Sequence, residues 1–182
     1  MHGLLERDLL INSVDPSEDD RRRFLAALYG WLEPTGARLW THGWSSASEP
    51  GLRARKYDWL RRDLEANGIA CARLPMARQS LVVCDPWARI GLAYVHEGSL
   101  LGGLVLKHRW QGVGSPLAAS RYLTGYGLRQ PDLWRSFLAE IEALCADSPD
   151  GLERSCDHAV AAFGSLHEWF REQGVTRLRG SR

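Results

Sequence analysis

Hydrophobic residues recur every three to four positions along most of the chain, a spacing that predicts α-helices almost from end to end. The segment RRRFLAALYGWLEP puts its apolar side chains on one helical face. We expect this helix to stop at Pro34, because proline lacks the N–H that a helix interior requires. Residues 41–50 are polar and loop-like, and a charged amphipathic helix is predicted from Leu52 to Asn67, ended by Gly68.

The rest of the chain continues the same pattern. Asp85 is a predicted N-cap for a long glycine-bearing helix. The run from Ser80 to Cys84 is strand-like but too short and isolated to found a sheet. We therefore predict an all-α fold with one domain over residues 1–182 and a frayed tail over 173–182. The further helical segments are predicted at 4–11, from 16 to Pro34, from Asp85 to between 112 and 115, at 120–127, at 131–146 and from 150 to about 173.

Composition excludes several classes of function. Hydrophobic residues make up 45% of the chain and charged residues 25%, and the net charge is +1, so no electrostatic attraction to nucleic acid is expected. No apolar run approaches the roughly 20 residues that span a bilayer, and no signal-peptide pattern is present, so we expect a cytoplasmic protein with no membrane partner. The four cysteines are scattered without a CxxC pair, which predicts reduced, mostly buried thiols.

Glycines cluster in the predicted helix YVHEGSLLGGLVLKH, although each interior glycine costs about 1 kcal/mol relative to alanine. Gly98 and Gly102 are four residues apart and share a face, Gly91 lies on nearly the same stripe, and Gly103 sits beside them. Such a groove suits either close helix packing or a ligand lying flat on bare backbone. Spacing alone favours packing.

The residues around these glycines point to a family. The phrase YVHEGSLLGG resembles the distal-helix motif of bacterial haem oxygenases. Three further segments are similar to that family: RKYDWLRRDL to a charged middle helix, YLTGYGLRQPDLWRSF to the Tyr-Gly and Trp-Arg-x-Phe segment, and AVAAFGSLHEWF to the C-terminal helix. The four matches follow the family's order and cover most of the chain. The likeness is greatest to the biliverdin-forming enzymes that supply bacterial phytochromes.

This resemblance implies a haem oxygenase-like multi-helix bundle. The implied activity is oxidative cleavage of haem b, both cofactor and substrate, to biliverdin, carbon monoxide and ferrous iron. The reaction uses O2 and electrons from an external donor, a ferredoxin or a reductase, so a redox partner protein is implied. An apo-bacteriophytochrome that accepts biliverdin is a further implied partner. Two alternatives remain: a haem-binding or storage protein of the same fold that does not turn over, and a thiaminase-like member of the architecture.

The resemblance also implies an iron ligand at the start of the chain. The family's proximal His-x-x-x-Glu pattern stands here as His2 and Glu6. Residues four apart are helix neighbours, so Glu6 can accept a hydrogen bond from the imidazole nitrogen that does not bind iron. Because His2 directly follows Met1, three interpretations stay open: the true start lies upstream, the short first turn suffices, or His2 does not hold iron.

The oxygen side of the implied haem slot is the glycine helix. Gly98, Ser99 and Gly102 are the catalytic candidates, since bare backbone leaves room for oxygen and Ser99 suggests an ordered water as hydrogen-bond donor. Gly103 joins them as a haem contact, and Arg135 of WRSF matches the family's propionate-binding arginine. His96, about 200° from Gly98 on the helix, should point away from the groove. Lys107, Tyr126 and Arg129 are weaker propionate candidates.

Overall fold

The computed structural model describes Leu9 and residues 16–78 and 85–176. This part of the chain is all-α, as predicted, and the only β pairing in it is an isolated antiparallel bridge between Leu9 and Thr176. The predicted segments at 4–11 and 80–84 and the end of the tail lie outside the described residues, apart from Leu9. The helices are α1 Glu18–Leu39, α2 Pro50–Ala66, α3 Pro86–Gly112, α4 Arg121–Thr124, α5 Gln130–Cys145 and α6 Gly151–Glu172.

Helix α1 corrects one prediction, because it runs through Pro34 and ends at Leu39. Proline cannot donate to the carbonyl four residues earlier, which belongs to Gly30. That carbonyl instead accepts the N–H of Ala77 at 2.9 Å, so no buried acceptor is left unpaired. A side chain at Gly30 would collide with the Pro75 carbonyl oxygen. Glycine at position 30 thus lets the 75–77 segment come close enough to supply the hydrogen bond that Pro34 cannot make.

The other helix ends follow the sequence signals. Asp85 caps α3 by accepting the N–H of Trp87 at 3.1 Å. Gly68 follows the end of α2 with φ +78°, the left-handed conformation that glycine adopts without strain. Helices α2, α5 and α6 begin and end within two residues of the predicted bounds. Local periodicity and capping therefore determine most of the element boundaries.

Helix α3 lies at the centre of the described part of the fold. Its first turns pack against α6, where Asp85 pairs with Arg154 at 3.1 Å. Its middle contacts α2 through buried side chains, and its later turns meet α4. Helix α6 also packs on α1, with Trp169 Nε1 donating to the Ala27 carbonyl at 2.7 Å. Every residue discussed below as a site lies on α3 or on an element packed against it.

Candidate functional site

One stripe of α3 is apolar, and the described residues leave it uncovered at its two central glycines. A Cβ at Gly98 or at Gly102 would meet no described atom within 4 Å, and Gly102 is exposed. Tyr94 and Val105 extend the same stripe by one turn on either side, and Val105 is 52% exposed. We call these four residues the open glycine face. An apolar helix face that no neighbour covers is suited to a flat apolar ligand.

Two other glycines of α3, Gly91 and Gly103, are packed against protein. A Cβ at Gly91 would lie 2.6 Å from the Ala159 nitrogen and from the Ser155 oxygen of α6. A Cβ at Gly103 would lie 3.5 Å from Leu123 of α4. The glycine stripe therefore has both functions that the sequence left open: helix packing at Gly91, and uncovered backbone at Gly98 and Gly102.

The helix is fixed on another side by a cluster of buried charges. The Glu97 carboxylate pairs with Arg53 and with Lys56 of α2, and none of these three side chains is more than 1% exposed. Tyr126 donates to the same carboxylate at 3.1 Å. Burial lowers the pKa of Lys56, and the Glu97 charge opposes that shift. We call these four residues the buried charge cluster.

The cluster also holds neighbouring loops. Arg53 donates from Nε to the Ser48 carbonyl at 2.5 Å and from its second amino group to the Leu133 carbonyl at 2.9 Å. Its guanidinium lies 5.1 Å from the centroid of the Phe137 ring. One arginine thus ties α2, α3, the 46–48 turn and α5 together, and α3 cannot rotate without breaking several charge-assisted bonds.

His96 points away from the open glycine face, as predicted, and is fully buried. Trp40 Nε1 donates to the Tyr57 hydroxyl at 2.8 Å, so the single Tyr57 proton goes to His96 Nδ1, also at 2.8 Å. Nε2 then carries the ring proton and faces Thr35 Oγ1 at 3.5 Å. Burial lowers the pKa of His96 well below its usual range, and the Lys56 charge lowers it further. The imidazole is neutral and belongs to the core.

Ser99 lies at the border between the open glycine face and α4. Its hydroxyl contacts the His96 carbonyl oxygen at 2.6 Å and the Tyr122 hydroxyl at 2.7 Å. Tyr122 is fully buried, and burial raises the pKa of its phenol. The predicted catalytic residues Gly98, Ser99 and Gly102 therefore sit together, with Ser99 bonded to protein.

Arg135 lies at the surface, with its side chain 75% exposed and paired with Asp132. The preceding residue, Trp134, contacts Tyr94 of the open glycine face with ring centroids 5.5 Å apart. This pair brings α5 beside the face while the Arg135 guanidinium stays in solvent. The exposed ion pair with Asp132 is weak, so it leaves the guanidinium accessible to an anion.

The weaker propionate candidates have other partners. Lys107 donates to Thr124 at 2.9 Å, Arg129 pairs with Glu49, and Tyr126 belongs to the buried charge cluster. His2 and Glu6, the predicted iron ligand and its partner, lie outside the described residues. Within the described ranges no group of three or more His, Cys, Asp or Glu side chains is arranged to hold a metal ion. Cys71 and Cys145 are free and buried and Cys156 is free and exposed, while Cys84 is outside the described part.

Sequence reasoning missed the buried charge cluster, although a signal was present. Arg53 and Lys56 lie seven and four residues before Leu60, on the same helical stripe as Leu60 and Leu64. Charged residues in the positions of an apolar stripe indicate buried ion pairs. Glu97, the acidic residue of the YVHEGSLLGG phrase, supplies the opposite charge from α3.

The chain was compared with protein-family models, with curated proteins and with solved structures, and no match was found in any of the three. No helix in the described part of the chain is long and apolar enough to cross a membrane.

Proposed function

We propose that this protein is a haem oxygenase that binds haem b against the open glycine face of α3. The observation that carries the proposal is the absence of any described atom within 4 Å of a Cβ at Gly98 or Gly102. Two interior glycines that meet no described side chain or neighbouring element cost helix stability, about 1 kcal/mol each, without a gain in packing against the described residues. A flat ligand that needs close contact with backbone explains that cost.

The residues of the face suit the ligand. Bare backbone at Gly98 and Gly102 gives a flat macrocycle contact with peptide groups, and Tyr94, held by Trp134, supplies an aromatic edge. Val105 adds apolar surface on the far turn. Under the proposal His2 is the iron ligand, Glu6 accepts from its imidazole, and Arg135 pairs with a propionate at the solvent edge. The bundle is then a haem oxygenase-like fold.

When bound, haem supplies the iron and the ring that O2 and external electrons open to biliverdin, carbon monoxide and ferrous iron. The chain's own residues would orient the haem and exclude competing reactions. The buried charge cluster and the neutral His96 keep α3 in one rotation, so the two glycines stay turned towards the ligand. Because glycine has no side chain, the ligand would meet peptide groups at Gly98 and Gly102.

The experiment is reductive turnover of the purified chain. Haemin is added, the visible spectrum is recorded, and a reductant is then supplied in air. We expect a Soret band that decays while biliverdin absorption grows. A Soret band that survives reduction in air would mean that the protein only stores haem, and no shift of the haemin spectrum would overturn the proposal.

The variant His2→Ala tests the iron ligand in the same assay. We expect the growth of biliverdin absorption to be abolished, because the imidazole is the proposed axial ligand. Unchanged turnover would show that another group holds the iron. The exposed histidine variant His108→Ala is the matched control and should turn over normally.

A further inference from the structure

The hydroxyls of Ser99 and Tyr122 form a bonded pair at the border of the open glycine face. Ser99 precedes Gly102 by three residues and is therefore its neighbour on the helix surface. Ser99 is half-buried, whereas Tyr122 is fully buried. The pair therefore lies beside the two uncovered glycines.

Counting protons fixes the direction of both hydrogen bonds. The His96 carbonyl oxygen can only accept, so the 2.6 Å contact takes the single proton of Ser99. The 2.7 Å contact between the two hydroxyls must then take the proton of Tyr122. Burial raises the pKa of the phenol, which keeps that proton in place. The reverse direction would leave a buried phenol proton with no described acceptor, at a cost of about 1–3 kcal/mol.

Tyr122 is held in place from outside α3. Asp63 of α2 accepts the N–H of Tyr122 at 2.7 Å, the N–H of Arg121 at 3.0 Å and the hydroxyl of Ser120 at 2.5 Å. One carboxylate thus caps α4 and fixes the backbone of the tyrosine. The phenol itself is held beside Ser99 by its complete burial in the core.

We propose that Tyr122 is a positioning residue that holds Ser99 as a hydrogen-bond acceptor, with no proton to give, at the edge of the open glycine face. A serine hydroxyl has one proton and two lone pairs. The proton goes to the His96 carbonyl, one lone pair accepts from Tyr122, and no described residue donates to the second lone pair. This inference rests on the proposed function for its ligand: in the haem complex a water molecule donates to Ser99, and that water, rather than the serine, has the other proton available for the ligand side.

The test of direction needs no haem. The tyrosine doublet in the ultraviolet resonance Raman spectrum differs between a phenol that donates and one that only accepts. We expect the difference between wild type and Ser99→Ala to show one tyrosine losing a donor signature. Ser99→Thr, which keeps the hydroxyl, should give no such difference, and Tyr122→Phe should remove the signal that changes. An acceptor signature in wild type, or a spectrum unchanged by Ser99→Ala, would overturn the proposal.

A second arm uses the haemin-loaded protein. Tyr122→Phe and Ser99→Ala should each lower turnover about tenfold. Loss of a group that orients a functional neighbour typically costs about 10–100-fold, and we expect the smaller effect. Turnover by the double variant should be no lower than by either single variant, because both changes break the same hydrogen bond between Ser99 and Tyr122. Haemin affinity should stay at the wild-type value. Multiplying effects in the double variant would contradict the positioning role. If wild type does not shift the haemin spectrum before reductant is added, the proposed function fails and the Raman result still stands.

Discussion

Two sides of helix α3 use adjacent residues in opposite ways. At Glu97 the side chain is locked by Arg53, Lys56 and Tyr126, and at the next residue, Gly98, no described atom lies within 4 Å of where a Cβ would stand. On one side, removing a buried charge is expected to lower the free energy of unfolding. On the other side, Gly98 presents only its backbone. The difference suggests that the charged side sets the rotation of the helix so that the glycine side can remain open.

The largest effect is expected on the charged side. Glu97→Gln leaves Arg53 and Lys56 buried without a full counter-charge, so we expect a loss of about 3–5 kcal/mol in the free energy of unfolding, measured with urea. Glu142→Gln, an exposed glutamate on α5, is the matched control and should change stability by less than about 0.5 kcal/mol. Equal effects for the two variants would remove the contrast between the sides of α3.

The next effect separates the packed glycine from an open one. Gly91→Ala puts a methyl group 2.6 Å from backbone atoms of α6 and should cost about 1–3 kcal/mol. Gly102→Ala adds the same methyl group where no described atom is near, and should stabilise the chain by up to about 1 kcal/mol through helix propensity. Urea unfolding of both variants gives the comparison. Destabilisation by Gly102→Ala as large as that by Gly91→Ala would show that the open glycine face is packed.

A smaller effect concerns the neutral His96. Its folded pKa lies well below the ordinary 6.5, so below that pH the unfolded chain binds a proton that the folded chain does not. Stability from this group is present above about pH 6.5 and is lost as the pH falls, by at most about 1.4 kcal/mol per pH unit. We expect His96→Gln to lose less stability than wild type between about pH 7.5 and about pH 5.5.

The matched control for this pH dependence is His108→Gln, since His108 is exposed at the solvent end of α3. Its acid loss should equal that of wild type in urea unfolding at the same two pH values. An acid loss in His96→Gln as large as in wild type would mean that the imidazole takes up its proton in the folded state.

Features that depend on neighbouring residues in the chain could be predicted from the sequence. The Asp85 cap, the left-handed Gly68 and the bounds of α2, α5 and α6 each follow from a few consecutive residues. The end of α1 could not be predicted, because the carbonyl that Pro34 leaves unpaired is satisfied by Ala77 from a distant segment. The sequence shows that Pro34 cannot bond to the Gly30 carbonyl, but it does not show which distant residue will do so.

The candidate site divides in the same way. The positions of Gly98, Ser99 and Gly102 on one side of a helix follow from spacing alone. Which glycines stay open depends on where α6 and α4 lie, and spacing had favoured packing for all of them. The hydrogen bond that Ser99 accepts comes from Tyr122, whose backbone is held by Asp63 of another helix. These are tertiary facts with no local sequence signal.

The most direct measurement is the affinity for haemin of Gly98→Leu, taken from the Soret band and compared with wild type. Gly112→Leu is the matched control, since that position also has no described atom nearby and lies ten residues beyond Gly102, about 15 Å along the helix. We expect wild type and Gly112→Leu to bind haemin equally and Gly98→Leu to lose the band while keeping its helical circular dichroism. Equal binding by all three proteins would contradict the assignment of haem to the open glycine face.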